Sequence, residues 1–479
     1  MREVLEWCLD ACAAKHVTYA DGRFVRTQSE AINVVNGDVT RLSSEESVGL
    51  GVRVLVDGAW GFAATSDLGR SRVEAASTRA IAIARAASHG RRPGLSLGPP
   101  VRSRGHWQTP FLVDPFTVPL GDKLALLCEA DDAMARVSGI RVRQAMMAWD
   151  RHHKFFGNTE GAFVEQTLTE VACALEARAE VEGRSAARSY PDARGHHGWT
   201  GGYEHVLGLD LVRNAPRIAE EAVRLCTAPA VSPGRTTVVL DGSQMAIQLH
   251  ESLAHAAEHD RILGQELSFA GGSFIGPEDV GRLDLGNPLV NVWADATTPG
   301  GLGTYGFDDE GVPAGRFPLF VAGRLEGLLG NRETAALAGH VPGGVARAAG
   351  WNRLPLIRMP NIHLEPGDHP SLEALIADVD EGIYMATNQA WSIDDRREDF
   401  RFGTEIAWEI RKGRLGRMLS RPGYQGRTQD FWRTLDALGG PETWNLWSVP
   451  HCGKGQPRQF ARVSHGTPAA RFRDVKVGA

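Results

Sequence analysis

Hydrophobic and polar positions change period several times along this chain, and the changes mark its elements. Leu5, Cys8, Leu9 and Cys12 recur at helical spacing, which predicts an amphipathic helix in the first residues. Residues 18–21 and the alternating tract 31–40 predict strands joined by a turn at Asn36-Gly37-Asp38. Residues 49–63 predict two more strands around Asp57-Gly58, and the alanine-rich tract 72–88 predicts a helix stopped by Gly90. Together these make an N-terminal α+β unit over residues 1–90.

Many prolines and glycines with few periodic apolar positions make 91–119 a connector. A helix over 124–137 closed by Gly139, alternating tracts at 140–149 and 163–181, and a helix over 215–226 predict a middle α+β region, 120–228. After Pro229, Thr236-Thr237-Val238-Val239-Leu240-Asp241 predicts a buried strand that leads into a helix with Asp241 or Ser243 as its N-cap. Beyond Gly271 short apolar tracts at 290–293, 319–322 and 406–410 stand among Gly, Asp and Pro. They predict a C-terminal domain, 229–479, whose large curved, mainly antiparallel sheet carries that helix, with helical insertions at 371–379 and 428–438. The fold class is α+β.

The chemistry concentrates in Leu249-His250-Glu251-Ser252-Leu253-Ala254-His255. Zinc-peptidase helices of the H-E-x-x-H kind set their histidines at i and i+4, but here they stand at i and i+5. In a regular α-helix five residues rotate the second ring by roughly 140° from the first, too far for two ligands of one tetrahedral ion. A single π-type turn, bonded i to i+5, would return both rings to one face, so the spacing predicts such a turn between His250 and His255. Glu251 is then a candidate general base toward a water acidified by zinc. A solvated surface helix with no metal is the competing reading.

Length and composition narrow the class without naming it. With 479 residues, 42% of them hydrophobic, the chain has room for two to four soluble domains. A net charge of -6 offers no cationic surplus for nucleic acid. No apolar run approaches a membrane span and the first residues are charged, which predicts a cytoplasmic protein. The six cysteines are sparse and unpaired in spacing; Cys8, Cys12, Cys128, Cys173 and Cys226 read as packed thiols. Cys452 differs, since it stands in the polar, glycine-rich stretch Pro450-His451-Cys452-Gly453-Lys454-Gly455, which predicts a loop thiolate or a ligand.

Taken together, the strand pair from Gly51 to Ala63, the tract from His250 to Asp260, Gly303 to Gly311, Met359 to Asp368 and Cys452 to Gln456 resemble the TldD/PmbA family of metallopeptidases over nearly the whole chain. The resemblance implies that His250, His255 and Cys452 are the protein ligands of Zn2+ and that Glu251 is the base. It implies a peptidase acting on unfolded or short peptides in an enclosed cavity, paired with itself or with a paralogue that lacks the motif. The competing function is a non-catalytic assembly or regulatory subunit. Three departures stand out. Ala254 replaces the family's glycine; His451 and His259 are additional histidines beside the candidate ligands; and the segment 383–425, with Asp394-Asp395-Arg396-Arg397-Glu398-Asp399, is poor in the glycines the family carries there. Glu258 and Asp260 stand where the family has acids, and are expected to orient the histidines, to bind substrate or to be solvated.

Overall fold

In the computed structural model, residues 1–89, 95–192, 197–269, 271–339 and 343–478 are described. Gly90, the expected stop of the second helix, lies outside them; that helix runs Arg70–Ser88. The first turn forms as its sequence predicts: Asn36 and Gly37 both take positive φ, the backbone a tight hairpin turn requires. The strands it joins, Tyr19–Val35 and Asp38–Val56, are far longer than the alternating tracts alone indicate.

Those two strands belong to an eight-stranded sheet that runs through both N-terminal regions. Its order is Ala59–Thr65, Asp38–Val56, Tyr19–Val35, Ile140–Asn158, Phe163–Val181 and Arg104–Gln108, with Arg184–Tyr190 and His197–Thr200 also paired to Phe163–Val181. Tyr19–Val35 and Ile140–Asn158 pair antiparallel from Asp21↔Asn158 to Val35↔Gln144, so the first unit and the middle region share one continuous sheet. The stretch expected as a bare connector supplies the strand Arg104–Gln108, in parallel with Phe163–Val181.

Helices Arg2–Ala13 and Arg70–Ser88 bury Leu5, Cys8, Cys12, Ala80 and Ala84 against Phe24, Leu50, Val52 and Val54. The second helix lies so close that a Cβ on Gly61 would fall 2.0 Å from the carbonyl of Ala80. Helices Leu120–Ala135 and Leu211–Thr227 cover the other end; Ala215, Ile218, Ala219, Ala222 and Cys226 form the inward stripe of the latter. Cys8, Cys12, Cys173 and Cys226 are buried thiols, whereas Cys128 is only half-buried.

Beside a small two-stranded ribbon of Ala346–Arg347 and Leu356–Ile357, the C-terminal half divides most of its strands between two large sheets. In one, Glu381–Ile393, Gly234–Leu240, Ala470–Val477, Gly423–Arg427 and Asp399–Arg411 pair in that order, and Asp399–Arg411 pairs back to Glu381–Ile393, closing a circuit around Phe400, Phe402, Tyr424 and Phe472. The expected helical insertion 428–438 is shorter than its pattern: helix Thr428–Arg433 gives way to strand Leu435–Leu438, which adds to Ala470–Val477. The other sheet has six strands ending in Asn361–Leu364, Gln459–Thr467 and, at its edge, Asn445–Lys454. The helix Gly242–Leu249 emerges from strand Gly234–Leu240 and packs between the two sheets, burying Met245 and Leu249.

Charged pairs tie the halves together. Arg53 on the N-terminal sheet bridges Asp21 at 2.7 Å and Glu310 at 2.9 Å, all buried. Lys154 reaches Asp309 at 3.3 Å, and the Gln166 amide donates to the carbonyl of Phe307 at 2.8 Å. The tract Gly303 to Gly311 therefore serves as the seam between the N-terminal sheet and the C-terminal half.

Candidate metal centre

The helix begins on the cap its sequence offers: the Asp241 carboxylate accepts the backbone N–H of Gln244 at 2.8 Å. It then widens. Residues His250–Ala254 form a π-helical turn, closed by the N–H of His255 donating to the carbonyl of His250 at 3.0 Å. Inside it, Ser252 donates to the Gln248 carbonyl at 2.5 Å and accepts from Trp432 Nε1 at 2.9 Å. Leu249, Leu253, Ala254, Ala256 and Ala257 are fully buried around the turn, so tertiary packing holds a backbone form that is scarce in isolation. Ala254 fits there without glycine.

The widened turn faces the two imidazoles together, with ring centroids 4.5 Å apart. Cys452 comes to the same point from the edge strand Asn445–Lys454, not from a loop as its polar neighbours predict. The register of that strand shifts between Val449 and Cys452, a bulge of the kind that re-aims side chains beside functional sites. One ligand atom each from His250, His255 and Cys452 lie within 4.8 Å of one another, all three buried. Cys452 Sγ is 3.5 Å from His255 Nε2.

Hydrogen bonds behind the rings set their tautomers. His465 Nδ1 meets the carbonyl of Ile362 at 3.2 Å, so that nitrogen carries a proton and its Nε2 is an acceptor. His250 Nδ1, 2.7 Å from that Nε2, therefore donates, which leaves His250 Nε2 with its lone pair free for a metal. His255 Nδ1 donates to Glu258 Oε2 at 2.9 Å, with the same result at its Nε2. Arg261 donates to that carboxylate at 2.5 Å and Lys454 lies 3.2 Å from it, while Lys454 also binds Asp260 at 2.7 Å and the Ile357 carbonyl at 2.9 Å. All four charged side chains are buried, and their charges cancel.

The electrostatics favour metal-ready forms. Burial foremost pulls both His250 and His255 down to about 4, so each ring is neutral near pH 7. Burial opposes ionisation of Cys452, but the guanidinium of Arg358 and the neighbouring His255 outweigh it and bring the thiol to about 7. Burial likewise opposes Glu258, yet Lys454 and Arg261 hold it well below the usual carboxylate range. Two neutral imidazoles and an acidified thiol, each pre-oriented, fit a tetrahedral zinc ion with one position left open.

The remaining candidates separate cleanly. Glu251 is buried beside His250, with Oε2 3.7 Å from Nη1 of Arg397. Glu258 orients His255, and Asp260 anchors Lys454. His259 is buried but outside the cluster; its N–H donates to the Leu329 carbonyl at 3.0 Å. His451 is exposed and faces the Phe460 ring at 6.1 Å. Sequence reasoning missed His465 and Arg397. Beside Cys452, a cavity of about 460 Å³ is lined by His451, Ala461, Arg358 and Arg347 from the C-terminal half and by His152 and Glu170 from the N-terminal sheet.

Comparison with known proteins places the whole chain. Residues 20–84 match the PmbA/TldA metallopeptidase domain 1, residues 113–227 its central domain and residues 233–479 its C-terminal domain. A metalloprotease of Methanothermobacter thermautotrophicus is 30% identical over 464 residues, covering 96% of each chain. A zinc metalloprotease TldD homolog of Saccharolobus solfataricus is 28% identical over 245 residues, 51% of this chain and 52% of that one. In fold, the crystal structure of TldE from Thermococcus kodakarensis superposes with a TM-score of 0.72 at 16% identity and full coverage of both chains. By this match along three successive domains, the chain belongs to the PmbA/TldD family of metallopeptidases.

Proposed function

We propose that this chain is a zinc-dependent peptidase in which His250, His255 and Cys452 hold the ion and Glu251 is the general base. The observation that carries the reading is the convergence of three buried donor atoms within 4.8 Å, each imidazole turned by a hydrogen bond so that a lone pair faces the others. Bound there, zinc would polarise a scissile carbonyl and acidify a water. Glu251 takes the proton of the attacking water on its carboxylate and passes it to the leaving amine. Arg397, at 3.7 Å, orients that carboxylate; His465 and Glu258 keep the imidazoles in their metal-binding tautomers. The substrates are unfolded segments or short peptides, whose extended backbone lies along the edge strand Asn445–Lys454 with little sequence preference. The protein acts in the cytoplasm, as a dimer with itself or with a motif-lacking paralogue that encloses the site. Among the described residues no helix is long and apolar enough to cross a membrane.

Metal content and cleavage of an unstructured fluorogenic peptide test the assignment together. Glu251→Gln keeps one zinc per chain and lowers cleavage by about a hundred- to ten-thousand-fold, the usual contribution of a positioned base. His255→Ala and Cys452→Ala lose zinc and cleavage alike. Cleavage at the native rate by any of the three, or a protein that holds no zinc alone or with its partner, refutes it.

A further inference from the structure

The cavity beside Cys452 carries an imbalance of charge that the peptidase chemistry does not use. Its acids are already engaged. Glu170 binds Arg462 at 2.6 Å, and Asp309 faces Lys154 at 3.3 Å and Arg23 at 3.9 Å. Asp308 is held by backbone N–H groups, from Glu310 and Val312 at 2.9 Å and Ala346 at 3.0 Å, and burial foremost, with Glu310, pushes it above the ordinary carboxylate range.

Two arginines of the same lining combine, among the described residues, the absence of an ion pair with a buried, unbonded Nε–H. Arg358, only 1% exposed, donates Nη1 to the Gln459 carbonyl at 3.2 Å and Nη2 to the Cys452 carbonyl at 2.5 Å. Arg347 donates Nη1 to the Arg462 carbonyl at 3.1 Å and Nη2 to the Met359 carbonyl, and its guanidinium lies over the Tyr305 ring at 5.5 Å. Among the described residues neither forms an ion pair, and the Nε–H of each is a buried donor without an acceptor. Burial foremost, with the charge of Arg358, pulls Arg347 below its ordinary value against the opposing pull of Tyr305, Asp309 and Glu170. Arg358 is buried and Arg347 half-buried, and a buried guanidinium N–H left without an acceptor is costly unless a ligand supplies one.

The geometry points to a carboxylate-binding subsite: Arg347 and Arg358 receive, through their Nε–H groups, the carboxylate of a peptide lying in this cavity, contributed by its C-terminus or by an acidic side chain. A carboxylate offers two anionic oxygens to these two N–H donors, which a neutral amide cannot do. The opening suits a chain end: the lining reaches solvent at Asn352, Arg458 and Phe460, all exposed. Arg358 also fixes the position relative to the candidate metal, since it grips the backbone of Cys452 itself. That the ligand is a substrate rests on the peptidase reading; that the pocket takes a carboxylate does not.

Binding separates the two claims. The zinc-loaded full chain carrying Glu251→Gln is titrated, by fluorescence anisotropy, with one short labelled peptide in three forms: free C-terminus, C-terminal amide, and amide with one internal Asp. The free acid should bind about tenfold or more tighter than the neutral amide, the value of one charge-assisted hydrogen-bonded pair, and Arg347→Met should bring that ratio near one. An Asp-bearing amide that binds as tightly as the free acid identifies a side-chain carboxylate, one that binds like the neutral amide identifies the chain end, and both support the subsite. Equal affinity of all three forms for the protein with Arg347 intact overturns it, whatever the folding of Arg347→Met. A carboxylate preference that persists while the zinc-loaded chain with Glu251 intact cleaves none of these peptides would count against the peptidase reading alone.

Discussion

Two clusters of buried charge flank Cys452 and obey opposite rules. On the helix side Glu258, Asp260, Arg261 and Lys454 form a closed set in which every charge has its opposite within 3.2 Å. On the cavity side Arg347 and Arg358 have carbonyls for partners and no carboxylate. The closed set can hold His255 in one orientation with no help from outside, because its desolvation is offset internally. The open pair is incomplete by itself. On the proposed reading, such an arrangement would fix the metal side and leave the substrate side electrostatically unfinished, separating what must stay rigid from what must respond.

The sharpest way to break this contrast is to open the closed set. Lys454→Met leaves two buried carboxylates facing one guanidinium and should lower stability by about 3–5 kcal/mol, read as a reduced urea midpoint at unchanged slope. A loss under about 1 kcal/mol would mean that the set is not truly desolvated. Next in size are the hydrogen bonds behind the rings. Glu258→Gln and His465→Phe, neither of which removes a candidate donor, should each weaken zinc binding by about ten- to a hundredfold in competition with a chelator. Unchanged affinity in both would show that ring orientation is set by packing alone. Smallest is Arg347→Met in the free protein: with no carboxylate left unpaired, it should shift stability by about 1 kcal/mol or less in either direction. A loss as large as that of Lys454→Met would erase the distinction.

How much of this was readable in the residues follows from where the physics is local. The hairpin turn at Asn36-Gly37, the helix ending at Ser88 and the Asp241 cap depend on neighbours in sequence, and each formed where its pattern indicates. The π turn is legible too, because two histidines five apart leave a regular helix no way to face both rings together. Cys452 as a strand residue was hidden, since Pro450 and Gly453 break any alternation and the strand is held by its bulged pairing to Gln459–Thr467. His465 stands 215 residues from His250 in a mixed, mostly polar strand, with no spacing to betray it. Arg397 sits in a charged run that reads as a solvated loop, yet the left-handed backbone there, φ 65°, turns it inward to Glu251. The strand Arg104–Gln108 is five residues among prolines and needs its partner to be recognised.

The circuit of paired strands around Phe400 and Phe472 has a bearing on biosynthesis. Its keystone, Ala470–Val477, is wedged between Gly234–Leu240 and Gly423–Arg427, so the ring cannot shut until that stretch has left the ribosome. At about 5–20 residues per second, the imidazoles of His250 and His255 wait on the order of tens of seconds for the thiol and for the wall that steadies them. On the proposed reading, the nascent polypeptide would carry throughout that interval half a metal trap and no blade, a delay that would spare the growing chain from its own chemistry.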